Sequence, residues 1–567
     1  MLLSASSSDL APKVVAGFAA LYFAFLLIKR LFSRAPLPLP PGPKKLPIIG
    51  NIHQVQKKKQ FLQFYEWSKR HGPVMSLSMG GQPLIILSTT QAAQDLLAKR
   101  SAKYSDRPKM VMAGELVTKG MHMLIRPYDD SYKLHQRLEA SLLKATSSET
   151  YLPIQDLESK QFLVGIMQNI HDPNGVDFHK HVERVVARLV SFTSPPSLLS
   201  FSTKQSTKLH LEDAVKRYET LALCVVYTLC FGYRLRTGDE QELQDAVRIQ
   251  NEFATKGQYG RALAPWKKDG EDLFQLQYKL HISNLEKGKN NPGWNFTKNM
   301  LASNNAKKMS LTEIAFDVGL LADAGLETST IAMCWFGVAW VLYGKAGWIA
   351  KAQRILDEVV GRDRLPTFEH RPKLAYIEAI LSETLRWRPI AMGGVPHATK
   401  VPDVYNGYRI PAGSIVVGNH FAITREESVF GSDPDSFIPD RWVAKDETIS
   451  EKDGAAANTK LKDLPQTGFG FGRRVCTGRN IARNSLFIIL ARLLWAYDVE
   501  GAVTNKGEDL SLDDLECSEG FVTAPQHYNL KFKLRDAKAG QLIAAIGDTW
   551  DVDHSQLLDQ IGAKRTG

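Results

Sequence analysis

"FGFGRRVCTG", Phe469 to Gly478, sets a cysteine among three glycines and two arginines, in a chain of 567 residues that holds only five cysteines. A structural cysteine usually sits among aliphatic residues, as Cys224 and Cys230 do in "LALCVVYTLC". Cys476 has no such neighbours. Gly470, Gly472 and Gly478 let backbone approach closely and can aim several N–H groups at one sulfur. A helix is expected just beyond, from Ile481 in "IARNSLFIILARLLWAY", so its positive end lies near the thiol. Both features favour thiolate. A thiolate held this way can serve as nucleophile, redox thiol or metal ligand. A zinc site would need further Cys or His at short spacing, and the surrounding sequence has none.

The composition leaves that chemistry inside a large globular protein. Apolar residues make up 44% and charged residues 23%, enough to bury a sizeable core. The net charge of +11 reads as a solvated basic face or a docking surface. No basic run with interleaved aromatics points to nucleic acid. Cys224, Cys230, Cys334, Cys476 and Cys517 are odd in number and widely spaced, which argues against a disulfide framework and for a reducing compartment. Asn295-Phe296-Thr297 fits the glycosylation pattern, which matters only for a segment inside the secretory lumen.

Near the N-terminus, "VVAGFAALYFAFLLI" (Val14 to Ile28) carries no charge, and Leu31 and Phe32 extend it. That length suffices for a thin endoplasmic reticulum bilayer. A cleaved signal peptide is the rival reading, but Lys29, Arg30 and Arg34 stand where a small-residue cleavage site would be. Basic residues there hold the following chain in the cytosol. Residues 1–35 are therefore expected to be a membrane anchor. In 36–50, "PLPLPPGPKKLPIIG", prolines deny helix and give a stiff spacer. One large domain, 51–535, follows, with a weakly amphipathic tail at 536–567. Within Ser191 to Lys208, nine of eighteen residues are Ser or Thr, which reads as a flexible loop.

The longest regular element is expected to start at Ser310, where Ser310-Leu311-Thr312-Glu313 forms a capping box, and to run to Gly344. Such a helix is about 50 Å long and apolar nearly all round. It is either buried or a second membrane span, and Asp317, Asp323 and Glu327 would be costly in lipid. A second helix carries "SETLRWRP" to Pro389, and "VYNGYRIPAGSIVV" reads as a hairpin turning at Asn406-Gly407. Mainly α is the fold class.

A lone thiolate ligand suits haem, whose porphyrin supplies four nitrogens. The ten-residue stretch resembles the ligand loop of the cytochrome P-450 family, F-x-x-G-x-R-x-C-x-G, with Phe469, Gly472, Arg474, Cys476 and Gly478 at every fixed position. Other segments resemble the family in order. Glu383-Thr384-Leu385-Arg386 looks like its E-x-x-R, and "FIPDRW" supplies Arg441 for a structural three-charge network. Ala324-Gly325-Leu326-Glu327-Thr328 resembles its oxygen-activation motif, where Gly and a hydroxyl can open the helix ladder and admit water. Val395-Pro396-His397 resembles the turn whose histidine meets a haem propionate. Where the family has W-x-x-x-R, this chain reads Tyr132-Lys133-Leu134-His135-Gln136-Arg137, so Tyr132 and Arg137 stand in for that pair.

The resemblance covers residues 40 to 535 and implies the cytochrome P-450 fold, mainly α with a small β region, behind an N-terminal transmembrane helix. It implies a haem-thiolate monooxygenase that inserts one atom of O2 into a small hydrophobic substrate. Cys476 would be the iron ligand, Thr328 and Glu327 the proton relay, and Phe469, Gly472, Arg474, Gly478, His397, Tyr132 and Arg137 the haem contacts. Arg473, Arg479 and Arg483 would face an NADPH-cytochrome P-450 reductase. An isomerase or dehydratase needing no reductase, and a non-catalytic haem sensor, are the alternatives. The chain looks like fungal secondary-metabolism members acting on terpenoid or polyketide-derived substrates. Residues 185–217 depart from the family and read as a loop insertion or a retained intron.

Overall fold

A computed structural model describes residues 37–179, 182, 221–234, 240–256, 266–443, 467–504, 507–511, 516–518, 520–547 and 554–566. The anchor expected at 1–35 and the insertion expected at 185–217 lie outside the described residues.

Ten helices frame the site: α1 (Asp130–Leu143), α2 (Leu152–Asn169), α3 (Leu221–Phe231), α4 (Gln241–Lys256), α5 (Trp266–Asn290), α6 (Leu311–Tyr343), α7 (Ala375–Trp387), α8 (Arg479–Ala496), α9 (Ala537–Ile546) and α10 (His554–Thr566). The long helix α6 spans 33 residues and opens with the expected capping box. The Glu313 N–H donates to Ser310 Oγ (3.2 Å), and the Ser310 N–H donates to the Glu313 carboxylate (2.8 Å). Among the described residues it is the one helix long and apolar enough to cross a membrane, yet most of it is buried within the protein. Asp317, which would be costly in lipid, instead meets Nδ1 of His135 on α1 at 2.6 Å.

Two apolar cores meet along α6. Its C-terminal half, including Trp335 and Phe336, packs with Trp387 of α7 and Phe487 to Trp495 of α8. Its N-terminal half, including Ile314 and Val318, packs with Tyr227 and Phe231 of α3 and Leu273 and Leu280 of α5. The stretch between, around Ala324 to Thr328, belongs to neither core and borders a cavity.

The β region is small. Strands β1 (Val74–Met79) and β2 (Gln82–Leu87) turn at Gly80-Gly81, both in left-handed backbone at φ 59° and 91°. Strand β3 (Val176–Asp177) lies in another sheet, and β4 is His397–Ala398. The hairpin of β5 (Asp403–Tyr405) and β6 (Tyr408–Ile410) turns at Asn406 (φ 49°) and Gly407 (φ 79°), as expected. Strand β7 (Ile415–Gly418), however, leaves that hairpin. It pairs in parallel with β2, Leu84 opposite Ile415, and antiparallel with β4, His397 opposite Val416. Strands β8 (Tyr497–Val503) and β9 (Asn529–Leu534) complete a three-stranded sheet with β3.

Two terminal segments are more firmly placed than their composition suggests. The proline-rich stretch is docked, not a free spacer: Pro41 O accepts from the Ser76 N–H (2.8 Å) and Pro38 O from the Arg409 N–H (2.9 Å). The tail is part of the fold, since Ile543 of α9 joins the first core and Leu558 and Ile561 of α10 join the second. Asn295 is fully buried and caps a helix through Lys298 N–H (2.9 Å), which closes the glycosylation pattern to modification in the folded chain.

Candidate active site

The loop that carries Cys476 is shaped by its glycines. Gly470 and Gly472 adopt φ 81° and 60°, and a Cβ on Gly472 would run into the Leu97 carbonyl. Gly472 is therefore a packing glycine that seats the loop and does not line the cavity. Cys476 N–H donates to Phe469 O (2.8 Å), closing the loop, and Gly478 stands as the residue before α8.

The Cys476 side chain is accessible, but it lies deep in the protein. Its free surface faces an internal cavity of about 470 Å³. Burial pushes the thiol up, against the N–H groups of Gly478 and Arg479 and the charge of Arg479, which pull it down. Loop and helix end supply the expected donors, and burial still outweighs them. A buried thiol ringed by donors becomes thiolate once a cation reaches the sulfur.

Phe469, Gly478, Tyr132, His397, Arg474, Glu327 and Thr328 line this same cavity with Cys476. Arg137 does not. It is exposed on α1, about 140° round the helix from buried Tyr132, as a spacing of five residues dictates. Gln136 instead reaches Arg473 O through Nε2 (3.4 Å). Tyr132 contributes by lying under the Arg474 guanidinium, 3.8 Å from ring centre to Cζ.

Arg107 lines the cavity beside Arg474, and sequence reasoning did not single it out. Its Nε donates to Leu124 O (2.7 Å) and Nη1 to Pro396 O (2.6 Å), while Arg474 donates to Ser105 O, Met123 O and Arg126 O. Burial, then the Arg474 charge, pushes Arg107 down to about 9. Two buried guanidiniums held together call for anionic groups between them. His397 Nδ1 bonds to Tyr104 O (2.8 Å), and burial followed by the charge of Arg107 holds its ring neutral.

On the α6 wall of the cavity, Thr328 Oγ1 donates to Ala324 O (2.9 Å), and α6 runs through this segment without interruption. The ladder is not opened there. Gly325 has a different reason: a Cβ on it would run into Val226, so it lets α3 close onto α6. Burial pushes Glu327 up to about 7, a value suited to giving and regaining a proton near neutrality. Behind the loop, Arg386 Nε and Nη2 bond both Glu383 oxygens (2.7 and 2.8 Å), and Arg441 Nε adds a third bond at 3.0 Å. None of the three lines the cavity.

The donor set fits a haem: one thiol, two guanidiniums placed for carboxylates, and a Gly478 whose absent side chain leaves open space. The chain belongs to the cytochrome P-450 family, matched across residues 40–532, a family that binds haem through a cysteine thiolate and whose monooxygenases use O2 and typically a reductase. It is 32% identical to the cytochrome P-450 monooxygenase aneD of Aspergillus aculeatus, over 93% of this chain and 94% of that one. It is 31% identical to the monooxygenase FrzL of a Cladobotryum species, over 94% of each chain, and 32% identical to peniB of Penicillium patulum, over 92% and 89%. The enzyme is accordingly an oxidoreductase of the monooxygenase class.

Proposed function

We propose that this chain is a membrane-anchored monooxygenase of fungal secondary metabolism, with its catalytic domain in the cytosol on the endoplasmic reticulum, oxidising a small hydrophobic terpenoid or polyketide-derived substrate. The observation that carries the catalytic part is that Cys476, Thr328 and Glu327 line one mainly apolar cavity. Haem bound there would supply the activation of O2.

The chain's own residues hold and protonate. Cys476 would hold the haem iron through its sulfur, steadied by the Gly478 and Arg479 N–H groups. Arg107 and Arg474 would hold the propionates beside His397, with Tyr132 lying under the Arg474 guanidinium. Thr328 lines the cavity with its hydroxyl resting on Ala324 O, and Glu327, one residue before it, would reload that hydroxyl with a proton. The apolar walls, including Val226, Phe253 and Leu320, exclude water from the substrate.

Electrons would come from NADPH-cytochrome P-450 reductase. Of the three arginines expected at its docking face, Arg473 is exposed, Arg483 is tied to Glu378, and Arg479 donates to Cys476 O (3.0 Å). Arg473 is therefore the residue best placed to meet an acidic partner. The charge-free run Val14 to Ile28 supports the anchor and membrane lipid contact.

The test is co-expression with a reductase in microsomes, with NADPH and O2 consumption measured against product from candidate pathway intermediates. NADPH-dependent product supports the reading, and turnover without NADPH sinks it in favour of an isomerase or dehydratase. Thr328→Ala separates the relay: NADPH use should persist with at least severalfold less product and more hydrogen peroxide.

A further inference from the structure

One wall of the cavity gathers polar groups that the proposed oxidation does not use. Asp323 stands one helical turn after Gly319 and one before Glu327, so all three share a stripe of α6. A Cβ on Gly319 would run into the His281 ring, so this glycine lets His281 of α5 lie against bare backbone. The ring then stops with Nε2 3.7 Å from Asp323 Oδ2, beyond hydrogen-bond reach. His281 is 4% exposed, and its Nδ1 has no partner. On α4, Gln250 donates Nε2 to the Asp323 backbone carbonyl (2.6 Å), which leaves its Oε1 buried without a donor. Three helices thus bring an unbonded carboxyl, an orphan amide oxygen and the Nε2 edge of His281 to one wall, while the orphan Nδ1 lies against Gly319. Asp323, Gln250 and His281 all line the cavity.

The electrostatics of that place are one-sided. Among the described residues lining the cavity, the only Arg or Lys side chains are Arg107 and Arg474, beside the cysteine loop. Among the described residues, no basic side chain balances Asp323 and Glu327. Burial pushes Asp323 up to about 8 and His281 down to about 3, so in the absence of a ligand the pair rests neutral. A buried acceptor without a donor costs roughly 1–3 kcal/mol. A site of this kind rejects ligands that cannot supply the missing bond.

We propose that Asp323, with Gln250 and His281, is a recognition subsite for an amine nitrogen on an otherwise apolar substrate. The amine donates to the Asp323 carboxylate and the Gln250 Oε1, and its apolar remainder lies along α6 toward Thr328. A cation there restores the charge on Asp323, as an opposite charge at contact distance does for any buried carboxyl. The inference rests on the monooxygenase reading and adds to it the chemistry of the substrate.

The test uses the haem-loaded full chain and two probes of one shape, 4-phenylbutylamine and its carbon counterpart pentylbenzene, with binding measured by equilibrium dialysis. Asp323→Asn should weaken the amine at least tenfold, leave the hydrocarbon within about twofold, and leave the thiolate-haem absorption band unchanged. Equal effects on both probes, or none on the amine, would overturn the subsite. Ligation of the amine to iron would survive in D323N and so counts against it. Where D323N does not take up haem, Gln250→Leu replaces it: a severalfold loss confined to the amine supports the subsite, and an unchanged Kd overturns it. A wild-type chain without the thiolate-haem band would instead sink the monooxygenase reading, which the two-probe comparison does not measure.

Discussion

At Cys476, loop geometry and burial pull in opposite directions. The Gly478 and Arg479 N–H groups favour the anion, and desolvation of the sulfur disfavours it more strongly. Iron bound there would resolve that conflict, because a soft anionic sulfur is the ligand that a buried metal centre takes up. Cys476→Ser is expected to remove the reduced-CO band typical of thiolate haem, with CO binding, if any, shifted to the band of a non-thiolate haem. A normal band in this variant would end the assignment. That Cys476, Thr328, Glu327, Arg474 and His397 would come to one cavity was legible in the sequence, because each sits at a fixed offset from glycines, prolines or charges. Arg107 was not legible, since an arginine followed by proline has no pattern of its own and gains meaning only beside Arg474. Arg137 was misread for a matter of phase: five residues from Tyr132 cannot share its face.

Asp323 brings a second residue-scale consequence, in pH. Its carboxyl faces His281 of α5 and Tyr227 and Cys230 of α3, with Gln250 of α4 bonded to its backbone carbonyl and Glu327 one turn on along its own helix, none of them cationic when His281 is neutral. With a folded value of about 8 against an ordinary 3.8, the folded state holds this proton more tightly than the unfolded chain does. The associated stability is complete below the ordinary value and is lost as pH rises toward 8. Asp323→Asn, which cannot ionise, is expected to match wild type in Tm near pH 5 more closely than near pH 8, where the variant should melt several degrees higher. Thermal scans at both values check this. A Tm difference independent of pH would show that Asp323 ionises freely.

Among the elements, α6 and α7 were the most legible, because helix signals are local. The capping box at Ser310 and the break at Gly344 lie inside the same 35-residue window as the helix they bound. The strands were not legible to the same degree. The partner of β2 is β7, more than 300 residues away, and no short-range pattern announces a parallel pairing between them. The charged network behind the loop joins both kinds of information. Glu383 is fully buried and held low by Arg386 first and then Arg441, and it also accepts from Trp442 Nε1 (2.8 Å) and the Ile438 N–H (2.8 Å). Removing it would strand two buried guanidiniums. Glu383→Ala is expected to cost about 3–5 kcal/mol, the usual effect of breaking a buried pair, and to yield little haem-loaded protein. Recovery of wild-type haem content and Tm in this variant would mean that the network is dispensable.

For the whole molecule, the least expected feature is the C-terminal tail. Its 32 residues, 536–567, show only weak amphipathic character in the sequence. Their placement is nonetheless firm, because two short helices close gaps in both cores. Asp536 caps α9 through the Ala539 N–H (2.7 Å) and pairs with Arg362 (2.6 Å), which directs Ala539 and Ile543 into the core beside α2. Further on, Arg565 bonds Tyr151 Oη and lies over the Trp294 ring at 4.9 Å, while Leu558 and Ile561 are buried beneath it. Only side chains already assembled by α2 and the segment before α6 give these residues something to bury against, which is why the pattern looked weak in isolation. Burying a large aliphatic side chain contributes about 1.5–3 kcal/mol, and three such residues exceed the gain from freeing a short exposed tail only if the helices are docked in solution. Truncation after Arg535 is therefore expected to lower Tm by roughly 5 °C or more, at about 2–4 °C per kcal/mol for a large domain. Leu558→Ala should reproduce part of that loss, about 2–5 kcal/mol for a buried leucine. If the truncated chain melts with the full-length one and takes up as much haem, the tail is an appendage and α9 and α10 do not close the cores.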